Sequence, residues 1–168
     1  MPPRIQKKVC LLGEFAVGKT SLMQRFVHNR FSNVYSSTIG AKVSTKVIEI
    51  HDGPSVGLVI WDLAGGEEFS HIQESYLKGS AGAILVCDLT RKKTLVDLSG
   101  YAQRLLSVAP QANLILAANK LDLQNLRQID QGALVKQAEK LGVDYHLVSA
   151  KTGEGVEQVF EELARVVA

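Results

Sequence analysis

Residues 13–20 combine the residue types that bind a polyphosphate, since they read Gly-Glu-Phe-Ala-Val-Gly-Lys-Thr and match the phosphate-loop pattern G-x-x-x-x-G-K-[ST]. They stand where an apolar, strand-like run passes into an amphipathic segment. The backbone N–H groups of such a loop and the positive end of the helix dipole attract phosphate oxygens. Lys19 can then reach the β- and γ-phosphates, and the Thr20 hydroxyl is placed to bind Mg²⁺. We therefore predict a nucleotide site whose phosphate contacts come from Gly13, Phe15, Ala16, Val17, Gly18, Lys19, Thr20 and Ser21.

A second polar segment, residues 119–122, reads Asn-Lys-Leu-Asp and follows an apolar run. The Asp122 carboxylate can accept two hydrogen bonds, from the N1–H and the exocyclic amino group of guanine, whereas adenine offers no such pair of donors. The Lys120 stem can cover one face of the base, and Asn119 can tie the loop to its neighbours. Residues 149–151, Ser-Ala-Lys, would bring a backbone N–H to guanine O6. Guanine is therefore the predicted base, with contacts from Asn119, Lys120, Asp122, Ser149, Ala150 and Lys151.

One carboxylate and two hydroxyls are candidates for the metal. Asp62 opens the segment Asp-Leu-Ala-Gly at the end of a predicted strand, where it is placed to hold a metal-bound water. Gly65 closes that segment, and its N–H can bind a γ-phosphate. Thr38 lies in a polar loop and gains a role only from its placement relative to Lys19 and Asp62. The predicted metal residues are Thr20, Thr38 and Asp62.

Together these motifs resemble those of a small GTPase of the Ras superfamily, and the resemblance covers nearly all of the chain. It rests on the phosphate loop, a first switch segment with Phe31, Tyr35 and Thr38, and residues 61–65, 119–122 and 149–151. Residues 75–90 are similar to the Rab branch. The resemblance implies that the chain binds GTP or GDP with Mg²⁺ and hydrolyses GTP, with Lys19, Thr38, Gly65 and Gly66 at the reacting phosphate.

The same resemblance implies a conformational switch. Phe31 would pack against the guanine, and Tyr35 would lie near the γ-phosphate. Thr38 and Gly65 would hold two loops, at about residues 31–41 and 63–79, which hydrolysis releases. These loops would recruit effector, exchange-factor and activating proteins, in membrane trafficking for a Rab-like protein.

Three features depart from the family pattern. Gly66 stands where family members usually place the glutamine that orients the attacking water, which implies weak intrinsic hydrolysis. Phe15 is bulky where a small residue is common, and it either obstructs an activating protein's arginine or turns outward. Lys42 and Val43 replace the aspartate and phenylalanine of the Rab-like switch, which argues against the familiar Rab effectors.

Apolar runs bounded by turn residues alternate along the chain with amphipathic segments. A hairpin-like turn at residues 51–54 makes one pair of strands antiparallel. The pattern predicts one domain over residues 1–168, an α/β P-loop NTPase fold with a six-stranded, mostly parallel sheet and helices on both faces. The predicted strands are Ile5–Leu12, Lys42–Ile50, Val56–Asp62, Ala83–Asp88, Asn113–Ala117 and Asp144–Val148. The predicted helices are Lys19–Asn29, Lys93–Val108, Asp130–Leu141 and Glu154–Val167.

Composition excludes other classes of protein. The net charge of +2 comes with only small basic clusters, so we expect no nucleic-acid binding. Cys10 and Cys87 lie in apolar runs, which favours buried thiols in a reducing cytosol over a disulfide. No run is apolar enough to span a bilayer. We expect a cytoplasmic monomer with no membrane contact of its own. The lack of a prenylation cysteine before Ala168 leaves open both a removed tail and a protein not lipidated in this way.

Two other functions stay open. A GTP-binding scaffold that does not hydrolyse is favoured by Gly66, and bound GTP would then persist in the presence of Mg²⁺. A P-loop kinase that uses ATP is disfavoured by Asp122. A catalytic role for His71 is also disfavoured, because a loop histidine is more often a solvated polar residue than a base.

Overall fold

The computed structural model of the chain describes residues 4–34 and 37–168, so the prediction for Tyr35 concerns a residue outside the described ranges. The apolar runs form one six-stranded sheet with strand order β2-β3-β1-β4-β5-β6. The strands are β1 Arg4–Leu12, β2 Ala41–Glu49, β3 Ser55–Leu63, β4 Ser80–Asp88, β5 Asn113–Asn119 and β6 Tyr145–Leu147.

The sheet confirms the predicted fold class. The pair β2 and β3 is antiparallel and is closed by a turn in which the Gly53 N–H donates to the Ile50 carbonyl at 3.0 Å. The other paired strands run parallel. Because parallel strands place their carboxyl ends at one edge, the segments that follow β1, β3, β4, β5 and β6 all meet there.

The helices agree with the prediction in place but differ at several ends. The predicted helix over 93–108 is divided at Asp97, where the Gly100 N–H donates to the Asp97 carbonyl three residues back and tightens the turn. Three short segments, at residues 67–70, 74–77 and 124–126, were not predicted, since a single turn shows no hydrophobic period. The helices are α1 Lys19–His28, α2 Glu67–Ser70, α3 Glu74–Leu77, α4 Lys92–Val96, α5 Leu98–Val108, α6 Gln131–Leu141 and α7 Val156–Val167, with a 3₁₀ turn at Gln124–Leu126.

The core has two halves, one on each face of the sheet. On one face α1 and α7 pack together, and the rings of Phe26 and Phe160 stack with centroids 4.1 Å apart. On the other face α5 and α6 cover β4 and β5, together with the short α2 and α3. Cys10 and Cys87 are buried and unbridged, as predicted. Across the described ranges, every helix is too short or too polar to cross a membrane.

Candidate nucleotide-binding site

The predicted segments surround one cavity of about 730 Å³ at the carboxyl edge of the sheet. Of the predicted residues, Gly13, Val17, Asp62, Gly66 and Ser149 lie outside its lining, and Tyr35 lies outside the described ranges. The predicted residues that line the cavity are Phe15, Ala16, Gly18, Lys19, Thr20, Ser21, Phe31, Thr38, Gly65, Asn119, Lys120, Asp122, Ala150 and Lys151. The structure therefore brings the phosphate, base and switch segments into one space.

Lys19 projects back across the phosphate loop from the first turn of α1. Its Nζ donates to the carbonyls of Gly13 and Glu14 at 2.9 and 3.1 Å. The residue is only 7% exposed, and this burial lowers the pKa of Lys19 to about 8, although the charges of Asp62 and Glu14 act in the opposite direction. A phosphate oxygen beside Nζ would favour the charged ammonium. The loop thus presents a buried cation whose protonation an anionic ligand would stabilise.

Three oxygen-bearing side chains meet beside Lys19. The Thr20 hydroxyl donates to Oδ2 of Asp62, and the Thr38 hydroxyl lies 2.9 Å from that of Thr20 and 3.4 Å from Oδ2. Among the residues that the structure describes, none forms a hydrogen bond with the buried Oδ1 of Asp62. Burial raises the pKa of Asp62, while the Thr20 hydrogen bond and the Lys19 charge oppose the shift. A buried oxygen that lacks a donor, beside two hydroxyls, fits a hard divalent cation.

The base end is a network of side chain to backbone bonds. Asn119 Nδ2 donates to the Val17 carbonyl at 2.9 Å, and Asn119 Oδ1 accepts from the Ala150 N–H at 3.1 Å. The Ser149 hydroxyl donates to Oδ1 of Asp122 at 2.7 Å. Asn119 therefore joins three loops, as its predicted tying role requires, and Ser149 orients the Asp122 carboxylate. The Ala150 N–H, which belongs to the segment predicted to reach guanine O6, bonds to Asn119 in this structure.

Gly65 and Gly66 lie against the phosphate loop, where side chains would collide. A Cβ at Gly65 would stand 2.3 Å from the Gly13 carbonyl oxygen. Gly66 has φ 66° and ψ −141°, a conformation that residues with a Cβ rarely adopt. Its N–H donates to the Tyr101 hydroxyl at 2.9 Å. Residue 66, where family members usually carry glutamine, therefore has a backbone conformation that favours glycine.

Phe15 lines the cavity and is 48% exposed. Its N–H donates to Oε1 of Glu14 at 2.8 Å, and its carbonyl accepts from Arg91 at 2.8 Å. The ring therefore lies at the surface, with its backbone fixed on both sides.

Sequence reasoning missed residues that line the cavity, among them Gln24 and Leu123, and four residues that hold the neighbouring segments. Asp88 is buried at the end of β4 and pairs with Arg91 and Lys120. On α5, the Tyr101 ring lies 4.6 Å from that of Phe69, and the Arg104 guanidinium donates to the carbonyls of Phe69 and Ile72. Only Asp88 left a signal in the sequence, namely a carboxylate at the carboxyl end of an apolar strand.

Comparison with known proteins gives the same answer as the geometry. The family model described as the Ras family matches residues 8–168. The chain is 36% identical over 161 residues to Ras-related protein Rab-4 of Dictyostelium discoideum, covering 95% of this chain and 78% of the relative. It is 37% identical over 162 residues to Ras-related protein Rab-18-B of Danio rerio, again covering 95% and 78%. It is 34% identical over 166 residues to Ras-related protein Rab-31 of Homo sapiens, covering 95% and 82%. The chain therefore belongs to the Ras family, as a Rab-like small GTPase.

Proposed function

We propose that this chain is a switch that binds GTP or GDP with Mg²⁺, hydrolyses GTP slowly and changes its loops to recruit partners. The observation that carries the proposal is the single cavity with a phosphate loop and buried Lys19 at one end and the Ser149-bound Asp122 at the other. Its volume of about 730 Å³ suits a small ligand such as a nucleotide lying between the two. Family membership supports GTP as the nucleotide.

Mg²⁺ would be held by Thr20 and Thr38, with Asp62 close by. The buried Oδ1 of Asp62 receives no hydrogen bond from residues 4–34 and 37–168, and the two hydroxyls already converge on the other carboxylate oxygen. When bound, Mg²⁺ neutralises charge on the β- and γ-phosphates. Thr20 lies in α1 and Thr38 in the first switch loop, so an ion shared by both would tie that loop to the nucleotide.

Hydrolysis is proposed to be slow because the position that usually orients the attacking water carries no side chain. Catalysis of phosphoryl transfer consists mostly of positioning and charge stabilisation. At Gly66 only a backbone N–H is present, and it already bonds to Tyr101. Lys19 and the Gly65 N–H would stabilise charge on the γ-phosphate without placing the water. Intrinsic turnover should therefore fall below the roughly 10⁻⁴ per second of Ras.

Partners would bind at the two loops and the strands between them. Ile39 is 87% exposed and Val43 50% exposed, and the rings of Trp61 and Tyr76 lie 5.7 Å apart on the neighbouring surface. Exposed apolar side chains that lie close together are typical of protein interaction sites. The Rab names of the relatives support a role in membrane trafficking, with effector, exchange-factor and activating proteins as partners.

Residues 1–168 are proposed to act as one G domain and as a monomer. All described strands belong to one sheet, which supports a single domain. The buried, unbridged Cys10 and Cys87 suit a reducing compartment and support action in the cytoplasm.

The direct test is single-turnover hydrolysis of GTP with Mg²⁺, together with competition by ATP. We expect bound GTP to convert to GDP with a rate constant below that of Ras, and ATP to leave GTP binding unchanged. Equal displacement by ATP and GTP would contradict the guanine site. Turnover well above the Ras value would contradict the argument from Gly66.

A further inference from the structure

A buried carboxylate beside the phosphate loop, Asp88, is saturated by donors from the protein. Its Oδ1 accepts from the N–H and the hydroxyl of Thr90, at 2.8 and 2.6 Å. Its Oδ2 accepts from Arg91 Nε at 3.0 Å and from Lys120 Nζ at 2.8 Å. The side chain is 1% exposed. Since two carboxylate oxygens offer about four acceptor sites, Asp88 has none left for a ligand.

The two cations that Asp88 binds reach consecutive carbonyls of the phosphate loop. Arg91 Nη2 donates to the Phe15 carbonyl at 2.8 Å. Lys120 Nζ donates to the Ala16 carbonyl at 3.0 Å. One carboxylate thus orients two cations, and each cation holds one peptide group. We name Asp88, Arg91 and Lys120 the loop clamp.

The phosphate loop needs such support because its local conformation is unfavourable. Ala16 has φ 64°, a left-handed value that a Cβ disfavours. In a trans peptide the C=O and the following N–H point in opposite directions. Holding the Phe15 carbonyl against Arg91 therefore directs the Ala16 N–H away from Arg91, and Ala16 lines the nucleotide cavity. The clamp thus fixes the orientation of a donor that a phosphate would use.

The electrostatics of the clamp are balanced internally. Burial alone would raise the pKa of Asp88, but hydrogen bonds from Lys120 and Thr90 outweigh burial and hold the pKa below its usual value. Asp88 therefore stays ionised and offsets part of the charge of its two cations. Arg91 also lies close enough to Lys19 for the two charges to oppose each other. The clamp consequently belongs to the electrostatic surroundings of the phosphates.

We propose that Asp88 and Arg91 are positioning residues of the nucleotide site, which hold the phosphate loop in its nucleotide-receiving form through the carbonyls of Phe15 and Ala16. Their effect is to slow the release of nucleotides that carry a β-phosphate. This inference rests on the proposed guanine-nucleotide site, and it adds residues that touch neither base nor phosphate.

The first test is Arg91→Ala, a variant expected to fold because the Arg91 side chain is 41% exposed. Release of a fluorescent GDP analogue should become about 10- to 100-fold faster, since a hydrogen bond from a charged group is lost at each end of Arg91. Binding of GMP, which has no β-phosphate, should change little. Lys93→Ala is the matched control, because Lys93 forms an exposed ion pair with Asp97 and does not touch the loop. It should release GDP at the wild-type rate.

The second test separates positioning from general destabilisation. Asp88→Asn should also speed GDP release, and the double variant with Arg91→Ala should be little faster than the faster single variant, because Arg91 is oriented through its contact with Asp88. Arg91→Lys, which keeps the charge but cannot bridge both partners, should recover only part of the wild-type rate.

Three results would overturn the inference: wild-type release from Arg91→Ala, equal weakening of GMP and GDP, or additive effects of the two substitutions. Failure of the wild-type chain to bind GDP would instead overturn the proposed site as a whole.

Discussion

The two ends of the nucleotide cavity are stabilised in different ways. At the base end, Asn119 and Ser149 are buried, and their own side chains bond to neighbouring loops. At the γ-phosphate end, Gly65 and Gly66 contribute backbone alone. Gly66 depends on Tyr101 of α5 for its hydrogen bond. The residues at the base end are therefore positioned by their own side chains, whereas Gly66 at the γ-phosphate end is positioned by a side chain of the adjacent helix α5.

This difference separates binding from hydrolysis. Side chains already fixed in the binding geometry lose little conformational entropy when the ligand arrives, so the base end favours affinity. Hydrolysis requires a positioned group at the γ-phosphate, and Gly66 has no side chain to supply one. We therefore expect the molecule to bind a guanine nucleotide more readily than it hydrolyses one. Substitutions with matched controls test each end.

The largest effect is expected from Asp122→Asn at the base end. The amide loses the pair of charge-assisted hydrogen bonds to guanine, which are worth about 1.5–3 kcal/mol each, so GTP affinity should fall on the order of 10²- to 10⁴-fold. Affinity for xanthosine triphosphate should rise, because the xanthine C2 carbonyl suits an amide donor. Competition binding measures both. Asp52→Asn, in the exposed turn between β2 and β3, is the control and should bind as wild type.

Removal of the metal tests the γ-phosphate end. EDTA should speed nucleotide release, and Thr20→Ala should do so about 10- to 100-fold by deleting one contact to a charged group. Because burial raises the pKa of Asp62, this carboxyl gains its proton at a higher pH than an exposed one. The Mg²⁺ dependence of release should therefore be lost on acidification before exposed carboxylates titrate. Thr45→Ala, on the exposed side of β2, is the control. A rate of nucleotide release that EDTA does not change would contradict the proposed Mg²⁺ site.

Gly66→Gln restores the missing side chain but meets a backbone that favours glycine. A sparsely populated conformation costs about 1–3 kcal/mol, so the variant should unfold at a lower urea concentration than wild type. Its single-turnover rate should rise only if the segment rearranges. Gly100→Gln in α5 is the matched control, because Gly100 is helical and a Cβ there meets nothing within 4 Å. It should gain about 0.5–1 kcal/mol. Equal stability of both variants would show that the Gly66 conformation is not constrained.

Tyr101→Phe tests the external support of Gly66. It removes one acceptor while keeping the ring against Phe69, so the free energy of unfolding should fall by about 1 kcal/mol. Amide exchange at Gly66 should become faster. Tyr145→Phe, which removes a hydroxyl that accepts from the exposed Gln131 at 3.3 Å, should leave that amide unchanged. Unaltered exchange in Tyr101→Phe would mean that the γ-phosphate end is not held by α5.

The smallest effect is expected from Ala16→Gly in the phosphate loop. Glycine removes the strain of a positive φ, and part of the gain is offset by the extra freedom of the unfolded chain, so stability should rise by no more than about 1 kcal/mol. Thermal unfolding of the GDP-bound protein measures this. Ala133→Gly, in the exposed part of α6, should act in the opposite direction by about the same amount.

The local pattern of residues predicted the fold class and many of the residues around the cavity. Phosphate-loop, metal and base segments each follow a strand, and parallel strands must bring such segments to one edge. For this reason Lys19 and Asp122 were expected at one edge of the sheet, although they are distant in sequence, and both line the cavity. The sequence also predicted the antiparallel pair, from a turn short enough to reverse the chain.

The hydrogen bonds and ion pairs that position these residues became visible in the tertiary structure alone. Arg91, which pairs with Asp88, meets Phe15 across a sequence separation of more than seventy residues, and no local pattern encodes that contact. Tyr101 lies within the helix predicted over residues 93–108, yet its hydroxyl accepts a hydrogen bond from the Gly66 N–H. The hydrophobic period likewise did not predict the division of the helix at Asp97. Periodicity reports which face of an element is buried, whereas the polar bonds that position a loop depend on distances that exist only once the chain has folded.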